Sequence, residues 1–142
     1  MPVSHIDPCY AYRHKGDDET EEEYGQRVAN ELETELLRVG PEKVCAFVAE
    51  TIGGASAGVL VPVPGYFGCI REICDQYDVL LILDEVMCGM GRTGTTFASE
   101  QEGISPDLVT VAKGLGGGYQ PIGAVLVSGE VDKTIRDGSG AF

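Results

Sequence analysis

The sequence predicts an α/β fold built around a parallel sheet, and three observations carry that prediction. Short apolar runs alternate with stretches of helical periodicity, the pattern of βαβ units. The first three runs each end at a charged residue. Glycine-rich stretches follow those charged ends and hold much of the chain's 20 Gly.

The elements follow in order. The first nineteen residues mix His, Cys, Tyr and Pro without periodicity and turn acidic from Asp17 to Glu23. Thr20 is placed to cap a helix, with Glu21, Glu22 and Glu23 complementing its first-turn dipole. Tyr24, Val28, Leu32 and Leu36 recur every four residues, with Ala29 and Leu37 widening the stripe, so a helix from about Thr20 to Arg38 buries one face. Gly40 and Pro41 end it. Val44 to Ala49 is an apolar run that suits a strand covered on both faces, and it ends on Glu50. A loop from Gly53 to Gly58 follows. After Pro64, the spacing of Phe67, Ile70, Ile73, Cys74 and Tyr77 predicts a second helix. Val79 to Leu83 is the next strand, ending on Asp84 and Glu85. Leu108 to Ala112 is a third, ending on Lys113, and Ile122 to Val127 is a fourth.

At 142 residues the chain fits one globular unit, at ~100 to 200 residues per domain. Twenty-three acids against ten bases give a net charge of -13, which disfavours a nucleic-acid groove or an anionic-membrane face. The longest apolar runs fall far short of the ~20 residues that span a bilayer. The opening residues lack a secretory pattern, so the expected setting is a reducing compartment, cytoplasmic with mitochondrial as the alternative, and not export. Cys9, Cys45, Cys69, Cys74 and Cys88 form no Cys-x-x-Cys pair and are expected to be small, mostly buried thiols.

In open α/β sheets ligands gather beyond the carboxyl ends of the strands. Glu50, Asp84 and Lys113 stand at three such ends, each before glycines that allow backbone to approach a ligand. Alone, Lys113 would be a snorkelling amine and Asp84 a turn acid. Together they suit a carbonyl cofactor. An enclosed lysine loses its charge readily and becomes a nucleophile able to form a Schiff base, while a carboxylate holds a heteroaromatic nitrogen protonated.

Three segments also match rival patterns. Gly89-Met90-Gly91-Arg92-Thr93-Gly94 matches the G-x-G-x-x-G of dinucleotide folds, but Asp84 and Glu85 intervene after the strand, and the next strand ends on Lys113 where the ribose acid belongs. Val79 to Glu85 could be a Walker B strand, yet the G-x-x-x-x-G-K-[ST] it requires does not occur. His5, Asp7 and Cys9 alternate as metal ligands might, but a structural site usually takes four, and no metal is expected.

Leu81-Ile82-Leu83-Asp84-Glu85-Val86, the Gly89 to Gly94 motif, and Pro106-Asp107-Leu108-Val109-Thr110-Val111-Ala112-Lys113-Gly114-Leu115-Gly116-Gly117-Gly118-Tyr119 resemble the signature of the class III aminotransferases. Asp84 and Lys113 also stand at the family's separation of 29 residues. Similarity runs from about Val44 through Ser128. The resemblance implies the mostly parallel sheet of the aspartate aminotransferase type (fold type I), pyridoxal 5'-phosphate as cofactor, and transamination between an amine or amino acid and a keto acid through a Schiff base on Lys113. It implies that Lys113 also carries the proton between the substrate and the cofactor, that Asp84 pairs with the pyridine nitrogen, and that Val86 packs on one face of the ring. It implies that Glu50 stands either behind the residues that touch the cofactor or on the substrate side. Met87 stands where many members have a Gln that bonds the cofactor's phenolic oxygen, and Thr51 stands where they have Pro. The loop from Gly53 to Gly58 lacks the Glu of ornithine-type members, which points toward the branch using ω-amino acids or amines with pyruvate-like acceptors.

The family's phosphate loop and stacking aromatic precede this region, and nothing before Thr20 resembles them. Residues 1–142 therefore read as part of the large, cofactor-binding domain, with the N-terminal segment, phosphate loop and C-terminal small domain outside it. In the family the active sites lie at a homodimer interface. The alternative expectation is a truncated, non-catalytic remnant that acts at most as an interaction partner.

Overall fold

The computed structural model describes residues 2–139. A one-turn helix, α1 (Ala11–His14), precedes the long helix α2 (Glu21–Val39). Thr20 caps α2 as its sequence predicts. Its hydroxyl accepts from the Glu23 N–H at 3.2 Å, and the Glu23 carboxylate accepts from the Thr20 N–H at 2.9 Å, a reciprocal capping box. Tyr24, Val28, Ala29, Leu32 and Leu36 are buried. Leu37, expected to widen that stripe, is instead 60% exposed: at ~100° per residue it turns away from the face that Leu36 presents to the core. Gly40, at φ 95°, and Pro41 stop the helix.

β1 spans Ala46–Glu50, so it starts two residues later than the apolar run and takes in Glu50 as its last residue. Gly65, at φ 84°, opens α3 (Tyr66–Gln76), which buries Tyr66, Phe67, Ile70, Ile73 and Cys74. β2 (Leu80–Asp84), β3 (Leu108–Val111) and β4 (Ala124–Val127) follow, and α4 (Gly129–Ser139) comes last. The sheet order is β1-β2-β3-β4. β1, β2 and β3 run parallel, while β4 is antiparallel to β3, giving the mostly parallel α/β sheet that the sequence predicts. Ile122, expected inside the fourth strand, precedes it and lies against Gly116, whose Cβ would stand 3.0 Å from the Ile122 Cγ2.

α3 packs on one face of the sheet and α2 packs on α3. Leu81 and Leu83 of β2 meet Phe67, Ile70 and Cys74 in a core to which Phe47 and Ala49 of β1 also contribute. Each fully buried Leu or Phe contributes about 1.5–3 kcal/mol through removal from water. Asp107 ties the layers together: its carboxylate accepts from the Leu81 N–H at 2.7 Å and from Arg71 Nη1 of α3 at 2.8 Å.

The opposite face carries one row of paired residues, Val48, Ile82, Leu108 and Val127. The sequence predicts a first strand covered on both faces, and the structure corrects this: Val48 is 62% exposed, because both long helices lie on the other side. Of the thiols, Cys9, Cys74 and Cys88 are buried, Cys69 is half-buried and Cys45 is exposed. No helix among the described residues is long and apolar enough to cross a membrane.

Candidate active site

Pairing across the sheet sets the site. Glu50 of β1 faces Asp84 of β2, and Asp84 faces Thr110 of β3. Paired residues on neighbouring strands point to the same face, so these three side chains form one row at the carboxyl end of the sheet. Lys113 follows β3 after Ala112 and opens a tight turn, Lys113–Gly116. Its backbone sits at φ 40°, in the left-handed region that a side-chain-bearing residue rarely adopts, a strained conformation of the kind found at functional sites.

The side chains converge further. The Glu50 carboxylate accepts from the Gly54 N–H at 2.5 Å, drawing the glycine loop back over the strand end. Gly54 has no room for a side chain: a Cβ there would stand 2.7 Å from Met87 Cγ and 3.2 Å from Glu50 Oε2. Met87 in turn meets Lys113, whose Nζ donates to the Met87 Sδ at 2.6 Å. A thioether is a weak acceptor, so the amine has no strong partner among the described residues. Asp84 Oδ1 accepts from the Val86 N–H at 2.8 Å, which fixes the carboxylate and Val86 together. The other Asp84 oxygen makes no hydrogen bond among the described residues. The structure thus links Glu50 through Gly54 to Met87 and Met87 to Lys113, with Asp84 paired opposite Glu50 and bonded to the Val86 N–H.

Sequence reasoning missed Thr110 and the separate role of Glu85. The Thr110 hydroxyl is buried with no hydrogen-bond partner, next to Asp84 in the row. Its trace in the sequence is a lone polar residue inside the apolar run Leu108 to Ala112. Glu85 is wholly buried, and its carboxylate accepts from the Ala98 and Ser99 N–H groups at 2.7 and 2.8 Å. Burial pushes the neighbouring Cys88 thiol up from its ordinary pKa, with the Glu85 charge adding to the effect.

The Gly89 to Gly94 stretch does not form a dinucleotide turn. The Met90 and Gly91 N–H groups both donate to the Thr96 carbonyl, at 2.8 and 3.3 Å. The chain then enters a 3-10 turn, Ala98–Glu102, with no α-helix opening there to receive a pyrophosphate.

The fold is thus a mostly parallel α/β sheet that presents an acid, Asp84, from one strand end and an amine, Lys113, after the next. The sequence profile described as Aminotransferase class-III matches residues 4–141, and the chain belongs to that family. It is 61% identical over 125 residues to an uncharacterized aminotransferase of Schizosaccharomyces pombe, covering 88% of this chain and 27% of that protein. It is 49% identical over 137 residues to gamma aminobutyrate transaminase 2 of Solanum lycopersicum, covering 96% of this chain and 30% of that one. Among solved structures, the omega transaminase from Pseudomonas jessenii in complex with PMP superposes with a TM-score of 0.91 at 41% identity, over 99% of this chain and 32% of that one. The chain therefore spans between about a quarter and a third of the length of these relatives.

Proposed function

We propose that the protein works as a pyridoxal 5'-phosphate-dependent aminotransferase, transferring an amino group between an amine or amino acid and a keto acid, and acting as a homodimer. Its residues fit the cofactor. Asp84 keeps one oxygen without a partner, Thr110 holds a buried hydroxyl without one, and the Lys113 amine meets only a thioether. These are the polar groups that a ring nitrogen and an aldehyde would engage. The unpartnered amine of Lys113 beside the half-satisfied Asp84 is the observation that carries the reading.

When bound, the cofactor would supply a reactive aldehyde and an electron-accepting ring. Lys113 Nζ would hold the cofactor and would take and return the proton at the substrate carbon. Asp84 would orient the ring by accepting from its nitrogen. Val86, fixed by its N–H bond to Asp84, would pack against the ring. Met87 lies beside Lys113 where a Gln would bond the phenolic oxygen, and Glu50 borders the substrate side. The likeness to a gamma aminobutyrate transaminase and to an omega transaminase supports an ω-amino acid or an amine as donor.

The competing reading is a non-catalytic piece that associates at most with a longer homologue. One experiment separates the two. Purified protein is incubated with pyridoxal 5'-phosphate, reduced with borohydride and mapped by mass spectrometry. The expected result is a pyridoxyl adduct on Lys113 that disappears in Lys113→Ala. A folded protein that yields no adduct overturns the aminotransferase reading for this chain.

A further inference from the structure

We propose that Thr51 is a positioning residue of this site, setting the direction of Asp84 through the buried carboxylate of Glu85. The inference rests on the cofactor reading above. Asp84 and Glu85 are adjacent in sequence and end on opposite sides of the sheet. Asp84 joins the row of Glu50 and Thr110, whereas Glu85 turns inward and is wholly buried.

Beneath the site Glu85 is fully satisfied. Its Oε1 accepts from the Ser99 N–H at 2.8 Å and from the Thr51 hydroxyl at 3.1 Å; its Oε2 accepts from the Ala98 N–H at 2.7 Å and from the Cys88 thiol at 3.7 Å. Thr51 makes a second bond from its backbone: the N–H donates to the Asp84 carbonyl at 3.3 Å. One residue, itself 2% exposed, thus ties the end of β1 to both acids at the end of β2.

The residue type matters because the family resemblance places a proline here. Proline fixes its own φ through the ring but has no N–H and no hydroxyl, so neither tie could form. Threonine lacks the covalent restraint and replaces it with two hydrogen bonds. Removing the hydroxyl alone leaves Glu85 Oε1 with a single donor in a buried setting, and a buried carboxylate short of a donor is costly. Relief comes from movement of the β2 end. That end carries Asp84, Val86 and Met87, so the effect appears in cofactor binding as well as in stability.

The test compares Thr51→Val, which keeps the shape and loses the hydroxyl, with Thr51→Ser, which keeps the hydroxyl. Two quantities are measured: amide hydrogen exchange at Ala98 and Ser99 without cofactor, and the dissociation constant and pH-dependent absorbance of bound pyridoxal 5'-phosphate. The expected result for Thr51→Val is faster exchange, a dissociation constant raised about tenfold and a displaced absorbance titration. Thr51→Ser is expected to restore all three to within about twofold. Faster exchange with unchanged affinity and unchanged titration makes the tie structural only and overturns the proposal, as does a Thr51→Val protein matching wild type throughout. If wild type forms the Lys113 adduct and Thr51→Val behaves like it, this inference alone fails. If wild type forms no adduct, the cofactor reading fails and takes this one with it.

Discussion

At Gly89 a Cβ would stand 2.7 Å from the Glu85 carbonyl oxygen and 3.1 Å from its Cβ. The first of these is backbone and cannot swing aside, so Gly89→Ala must displace the turn that holds Glu85 in place. Overpacking of this kind costs about 1–3 kcal/mol, and urea denaturation of Gly89→Ala against wild type is expected to show a loss in that range. The candidate site residues differ in how far the sequence reveals them. Asp84 and Lys113 stand at ends of apolar runs, where a charge is conspicuous. The two acids after β2 look alike in sequence, yet one faces the site and the other is buried; the difference lies in the Ala98 and Ser99 N–H groups, thirteen and fourteen residues on, which no local pattern reveals. Thr110 was hidden for a related reason. Its importance comes from its register opposite Asp84, a property of pairing between strands.

At the level of elements, α2 was the most legible, because its stripe, its cap and its stop are all local. Thr20→Ala removes the hydroxyl that accepts from the Glu23 N–H and donates to the Glu23 carboxylate, leaving that carboxylate only the backbone N–H of residue 20. The expected cost is about 1 kcal/mol, read as a lowered melting temperature in circular dichroism, with Thr20→Ser close to wild type. Strand direction was less accessible. A fourth apolar run after a glycine turn gives no indication of its orientation, and β4 runs antiparallel. Burial of β1 was overestimated for a similar reason: an apolar run such as Ala46 to Ala49 suits cover on two faces, but the number of helices available to cover it is not written in the strand itself.

Across the whole molecule, one ion pair ties the segment before α2 to that helix and a second lies within the helix. Glu19 is bound by Arg27 at 2.7 Å and Glu35 by Arg38 at 2.6 Å. The Arg27 guanidinium, with the Gly16 N–H, holds the Glu19 carboxyl down at about 2, and the Arg38 guanidinium, with the Ser4 hydroxyl, does the same for Glu35, against an ordinary value of 4.5. Both pKa values are lower in the folded state. Their stabilisation is therefore complete above about 4.5 and is lost as pH falls toward 2, because the unfolded chain then binds protons more readily. Both pairs are at the surface and individually weak, and relief of self-repulsion in a chain of net charge -13 opposes them on acidification. Melting temperatures between pH 6 and pH 2 isolate the effect: the double variant Glu19→Gln/Glu35→Gln is expected to lose less stability over that window than wild type.

The uncovered sheet face has a thermal consequence. Val48, Val125 and Val127 remain in contact with water in the folded chain, so unfolding newly hydrates less apolar surface than it would from a sheet covered on both sides. Hydration of apolar surface supplies most of the positive heat-capacity change of unfolding, which averages about 12–15 cal/mol/K per residue. This chain falls below that average. Its stability therefore varies more gently with temperature, and whatever closes over that face will deepen the curvature as it adds to the core.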